Sequence, residues 1–177
     1  FIQEWWENKD EVTLITRPRR FGKTLNLSML EKFFSVKYAG RGDLFENLSI
    51  WEEEEYRKLQ GSYPVIFLSF AKVKNISFQS ARKSVCLLIT RLYKEYDFLL
   101  DGDLLDVREK TMFREMSADM DDSVVADSLN MLSEYLMRYY GKRVIILLDE
   151  YDTPMQEAYV CGYWKEFTSF MRGLFNS

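Results

Sequence analysis

The sequence predicts an α/β fold, a parallel sheet with helices on both faces, and three observations predict it. Residues 64–70 and 143–150 contain continuous apolar runs of strand length, the pattern of strands buried on both sides. Residues 11–16 form a shorter β-branched run with the same character. Between these runs, apolar residues recur at three- and four-residue steps, so strands alternate with helices.

The elements follow in order. The run at 11–16 reads as a strand that passes into a loop at Arg17-Pro18, because a residue before proline is driven out of the helical region. A helix begins near Thr24, with Leu25, Leu27, Met29, Leu30, Phe33 and Phe34 apolar on more than one side. Trp51 followed by four glutamates, 52–55, reads as a helix start whose carboxylates face the positive end of the dipole, or as a solvated charged face. Residues 64–70 are the next strand, with Pro64 at its mouth. From the cap Ser77, the stripe Phe78, Ala81, Val85, Leu88, Leu92 and Tyr96 predicts a helix. Residues 97–122 are acidic and less regular, with room for one or two short helices. A second long helix starts at Asp122 or Ser123, carries Val125, Leu129, Leu132, Leu136 and Tyr139 on one stripe, and ends at Gly141. Residues 143–150 are then a central parallel strand ending in Asp149-Glu150. Asp152 and Pro154 read as the turn that starts a further helix, with a carboxylate added to a magnesium shell as the other reading of Asp152. The stripe Trp164, Phe167, Phe170 and Leu174 reads as a partner surface or as core exposed by truncation.

Composition bounds the rest. The 177 residues carry 24 Lys plus Arg against 28 Asp plus Glu, a net charge of -4, with 47% hydrophobic and 16% aromatic residues. That supports one core over residues 1–177 and excludes a disordered tail, a collagen-like array and a charge-driven nucleic-acid coat. No apolar run is long enough to span a membrane and the first residues do not resemble a signal peptide, so a soluble, cytoplasmic chain is expected. With no histidine at all, Ser-His-Asp and Cys-His catalysis, His-ligated metals and imidazole switches are excluded, leaving carboxylate, lysine and backbone chemistry. Cys86 and Cys161 make no disulfide framework, and Cys86, among apolar neighbours, reads as inert filler. The chain lacks an initiating Met and stops inside an amphipathic pattern, so it reads as one domain, incomplete at its C-terminus.

Chemistry begins at Gly22-Lys23-Thr24. Holding a nucleoside triphosphate takes backbone N–H groups aimed at phosphate, a glycine for close approach, a lysine for the outer phosphates and a hydroxyl for magnesium. These residues occur in that order where a β-branched run gives way to an apolar helix. The full pattern would have glycine at position 17; the loop instead reads Arg17-Pro18-Arg19-Arg20-Phe21-Gly22-Lys23-Thr24, with Pro18 able to impose its own turn. Arg19 and Arg20 are open to two readings, contact with phosphate or nucleic acid and exposed loop charge.

Asp149-Glu150 supplies the second half of the site. Ligands of open parallel sheets lie beyond the carboxyl ends of the strands, where this doublet and the strand before Arg17 both end. In that reading Asp149 holds magnesium through water, and Glu150 orients or deprotonates the attacking water. The long interval from Lys23 to Asp149 leaves room for one strand and several helices.

Together, residues 17–25, Leu44-Phe45-Glu46-Asn47-Leu48, Tyr63-Pro64-Val65-Ile66 and Leu148-Asp149-Glu150-Tyr151-Asp152 resemble the predicted AAA-ATPase-like family over nearly the whole chain. The resemblance implies a P-loop NTPase core with a catalytic glutamate, ATP as the nucleotide and magnesium as the cofactor. It implies that the arginine-rich loop is the family's usual phosphate-binding form. Arg19, Arg20, Phe21, Gly22, Lys23, Thr24 and Leu25 then fall at nucleotide-binding positions, Thr24 and Asp149 at magnesium-binding positions, and Lys23 and Glu150 at catalytic ones. A nuclease-like domain further along the chain, often present in the family, would bring DNA as a partner; an oligomer is compatible with the fold, and a membrane is not implied. The expected function is ATP binding with magnesium-dependent hydrolysis, slow in this segment alone. The alternative is a non-hydrolysing nucleotide-binding scaffold or switch that contacts nucleic acid or protein.

Overall fold

The computed structural model describes residues 1–9, 12–14 and 22–175. Eight α-helices and two strands are formed among them, an α/β arrangement. Strand β1 (Val65–Ser69) and strand β2 (Ile145–Asp149) are hydrogen-bonded neighbours. Ile145 N–H donates to the Pro64 carbonyl at 3.0 Å and Phe70 N–H to the Asp149 carbonyl at 2.9 Å, so the strands run parallel with Val65 opposite Ile145 and Ser69 opposite Asp149.

The chain divides into two compact units, Phe1–Phe67 with Arg143–Leu147, and Leu68–Lys142 with Leu148–Ser177, the division passing through both strands. In the first unit, helix α1 (Ile2–Asn8) lays Trp5 and Trp6 on Phe34, with ring centroids 5.5 and 5.1 Å apart. Helix α2 (Lys23–Phe34) buries Leu30, Phe33 and Phe34 with Phe45, Ile50, Val65 and Leu147. Each such side chain, removed fully from water, contributes about 1.5–3 kcal/mol. A helix leaves its last carbonyls without intrahelical donors; here Gly61 N–H takes the Phe33 carbonyl at 2.7 Å and Tyr63 N–H the Phe34 carbonyl at 2.8 Å. Gly61 is required twice over. It has φ 64, and a Cβ there would lie 2.4 Å from the Cα of Ala39. Three short 3₁₀ turns and the one-turn helix α3 (Glu54–Arg57) follow, and the Tyr56 phenol donates to the carboxylate of Glu7.

The second unit is helical apart from its strand ends. Helix α4 (Phe78–Lys94) is capped by Ser77, whose hydroxyl accepts from Ser80 N–H at 3.4 Å. Helix α5 (Val107–Arg114) starts with a capping box between Asp106 and Glu109. Helix α6 (Asp122–Tyr140) ends at left-handed Gly141, and α7 (Asp152–Val160) and α8 (Trp164–Phe175) complete the unit. Helix α8 packs on α6, α7 and α4 through Phe167, Phe170, Met171 and Leu174, and its Gly173 faces Ala126 of α6. Burial keeps the Tyr93 phenol and the Cys86 thiol protonated to higher pH than usual.

Several expectations are corrected. Residues 12–14 of the run at 11–16 are exposed and form no strand; residues 11, 15 and 16 lie outside the described ones. β-propensity alone does not make a strand. The described sheet therefore has two strands. β2 is not covered on both sides, since Ile146 is 42% exposed. The stripe Phe167, Phe170 and Leu174 is core of the second unit, with Trp164 partly exposed at its end. Helix α6 does start at Asp122, with Asp121 in the cap position before it, and the Asp122 carboxylate accepts from Arg82 Nε at 2.6 Å. Helix α1 was given no element, although Ile2, Trp5 and Trp6 are spaced as a helix face.

Candidate functional site

In the first unit the site residues gather at the start of α2. Gly22 is its cap, in the left-handed region at φ 75 and ψ 21, a conformation that costs an L side chain about 1–2 kcal/mol. Among the described residues a Cβ on Gly22 would meet nothing within 4 Å, and the left-handed conformation is the feature that favours glycine here. The first turn closes with Asn26 N–H on the Gly22 carbonyl at 2.9 Å. Lys23 is the first helical residue and is half-buried; Thr24 is exposed, and Leu25 is 72% exposed. Globular helices commonly place Asp or Glu in this turn to match the positive end of the dipole. Here the first turn has no acidic residue and no side-chain cap, and Lys23 adds its own positive charge. The helix end is thereby kept attractive to an anion instead of being neutralised. Arg19, Arg20 and Phe21 lie outside the described residues.

The acidic doublet lies in the second unit. Asp149 is the last residue of β2 and is 5% exposed; alternation along the strand puts it on the face of Leu147, and its carbonyl is held by Phe70 N–H. Glu150 comes next, exposed, with φ 53. That left-handed step is unusual for a residue with a side chain and turns the chain from β2 into α7. Two bonds brace it. Thr153 N–H donates to the Glu150 carbonyl at 3.0 Å, and the Thr153 hydroxyl donates to Glu150 Oε2 at 2.8 Å. Asp152 opens α7 and accepts from Gln156 Nε2 at 3.2 Å, in agreement with the helix-start reading.

Gly22, Lys23, Thr24 and Leu25 are thus brought together on one helix start, and Asp149 and Glu150 on one strand end. Thr153 was missed. Its signal is its position three residues after a carboxylate at a strand-to-helix turn, within reach of a side chain on the same turn. Among the described residues no three carboxylates or thiols cluster as a metal site. Thr24 carries a hydroxyl and Asp149 a carboxylate, and each taken by itself is a hard oxygen donor of the chemistry that suits magnesium. A cavity of about 410 Å³ in the second unit, lined by Phe78, Asp122, Glu166, Ser169, Phe170 and Gly173, contains none of these residues. No described helix is long and apolar enough to cross a membrane.

The family model described as "Predicted AAA-ATPase" matches residues 1–177. No curated protein and no solved structure matches the chain.

Proposed function

The chain belongs to the predicted AAA-ATPase family, and from that premise we propose that it binds ATP on a P-loop NTPase core and hydrolyses it with magnesium. The observation that carries the reading is the start of α2: a left-handed glycine, then lysine and threonine, with no acidic residue in the helix's own first turn. Arg19, Arg20, Phe21, Gly22, Lys23, Thr24 and Leu25 bind the nucleotide. The Lys23 ammonium pairs with the outer phosphates and Gly22 lets the backbone approach them. Thr24 and Asp149 hold magnesium, which when bound neutralises charge on the phosphate oxygens. Glu150 accepts the proton of the attacking water as its oxygen adds to the γ-phosphorus and the bond to the ADP oxygen breaks. Helix and strand ends are suited to these roles because their backbones fix the side chains before the nucleotide arrives, which limits the ordering cost of binding.

Thermal unfolding with and without ATP and magnesium tests the binding half. At about 100 times its dissociation constant a ligand adds roughly 2.7 kcal/mol to stability, and Lys23→Ala should abolish the rise; equal responses from parent and variant would remove the site from α2. Turnover tests the other half: Glu150→Gln should keep the thermal response and lose phosphate release. Binding without turnover in the parent, measured in the complete protein, would support the non-hydrolysing scaffold instead.

A further inference from the structure

The Glu150 carboxylate is exposed yet held: one of its oxygens accepts the Thr153 hydroxyl at 2.8 Å, while Thr153 itself is only 9% exposed and sits in the first turn of α7. We propose that Thr153 is a positioning residue for the hydrolytic reaction, fixing the rotamer of Glu150 so that its other oxygen faces the attacking water. The inference rests on the role given to Glu150 above and adds to it a residue that neither the motif nor the family match assigns.

Three features of the turn support it. Glu150 occupies a backbone conformation that residues with side chains rarely adopt, φ 53, and such outliers persist only where surrounding bonds over-determine them. Here the bonds are supplied by one residue, through its N–H to the Glu150 carbonyl at 3.0 Å and its hydroxyl to the carboxylate. A glutamate has three side-chain torsions, and an exposed one left to itself spends most of its time in rotamers that a given water cannot use. The bond from the hydroxyl of Thr153, a residue 9% exposed, restrains that freedom before substrate binds. A carboxylate has lone pairs on both oxygens, so occupying Oε2 leaves Oε1 to receive a proton. If the bond served only to start α7, the helix would be indifferent to the carboxylate's chemistry.

Steady-state ATP hydrolysis by the complete protein, compared for parent, Thr153→Val, Thr153→Ser, Glu150→Gln and the Thr153→Val/Glu150→Gln double variant, separates the possibilities. Loss of such an orienting partner costs on the order of ten- to a hundredfold in activity. Thr153→Val should lower kcat by that factor with KM for ATP and the ATP-induced rise in Tm unchanged. Thr153→Ser, which keeps the hydroxyl, should restore most of the rate. In the Glu150→Gln background the valine should cost nothing further, whereas a purely structural role would lower the residual rate there too. The proposal is overturned if Thr153→Val turns over at the parent rate or faster, if its loss appears in KM, or if it slows both backgrounds alike. Should the valine variant not fold, Thr153→Ala is read against Thr153→Ser by the same criteria. Glu150→Gln hydrolysing at the parent rate would instead overturn the role of Glu150 itself, a result distinct from an inactive Glu150→Gln beside an unaffected Thr153→Val.

Discussion

The Tyr93 hydroxyl donates to the backbone carbonyl of Ser128 at 2.7 Å, joining α4 to α6 across 35 positions of sequence at a buried point. The Ser128 hydroxyl meanwhile turns back on its own helix, donating to the Val125 carbonyl at 2.7 Å. The polar atoms of this contact are therefore paired within the core, which is the condition for burying them. Tyr93→Phe should keep the ring packing on Phe113 and lose the hydrogen bond, costing about 1 kcal/mol. In urea the midpoint should fall with the slope unchanged; an unchanged midpoint would mean that the bond contributes nothing net.

Leu132 is fully buried on α6, and truncation to alanine removes atoms that the neighbouring helices cannot easily replace. Leu132→Ala should cost about 2–5 kcal/mol, measured by denaturation, whereas Met137→Ala on the exposed side of the same helix should stay within about 0.5 kcal/mol.

Two of the left-handed glycines, Gly22 and Gly61, differ in a measurable way. Gly22→Ala meets no atom of the described residues and should cost about 1–2 kcal/mol of backbone strain, most of it recovered by Gly22→Asn, because asparagine tolerates this conformation. Gly61→Ala adds a collision with the Ala39 backbone to the same strain, so it should cost clearly more, with no rescue by asparagine. Equal losses in urea denaturation would contradict the distinction.

The Tyr56 phenol donates to Glu7 across 49 positions and ties α1 to α3. That hydrogen bond is the main cause that lowers the Glu7 carboxyl below its ordinary range, and it pushes the Tyr56 phenol up to about 12. A folded pKa below the unfolded value means that this contribution is present above the unfolded pKa and is lost as pH falls through the folded one. The stability gap between the parent and Tyr56→Phe should therefore be largest near neutrality and shrink in acid below the usual glutamate range, as read from denaturation midpoints across pH. A gap independent of pH would remove Glu7 as its source.

The magnesium role proposed for Asp149 has its own test. Asp149→Asn should raise the magnesium concentration needed for half of the ATP-induced Tm shift by roughly tenfold, the usual scale for losing a group that holds or orients a metal. An unchanged magnesium requirement would place the metal's protein ligands elsewhere.

The helices were legible because their signals are local. Ser77 capped a three- and four-step stripe, Gly141 closed another, and both helices form within a residue or so of the expected bounds. Gly22-Lys23-Thr24 and Asp149-Glu150 stand out in the sequence for a similar reason, since each is a contiguous string, and each is found at the end of a regular element. The sheet was legible in part, in the two runs that form β1 and β2. Whether Val12 or Ile146 is covered depends on partners remote in sequence, and hydrophobic patterning records only that a side chain could be buried. The spacing of Thr153 from Glu150 is a weak signal, because an i to i+3 side-chain bond depends on the left-handed turn at Glu150, which no composition rule predicts for glutamate.

The first unit is assembled from two separated stretches, and Leu147 shares a core with Leu30, Phe33 and Phe34. A ribosome has released the aromatic half of that core long before it adds the aliphatic residue that completes it. Closing so long a loop is entropically slow, and the burial that offsets it comes only at the end. During synthesis the N-terminal aromatics should therefore remain open to chaperones until β2 emerges, and nascent chains halted before Arg143 should be more protease-sensitive than those released a few residues beyond Asp149.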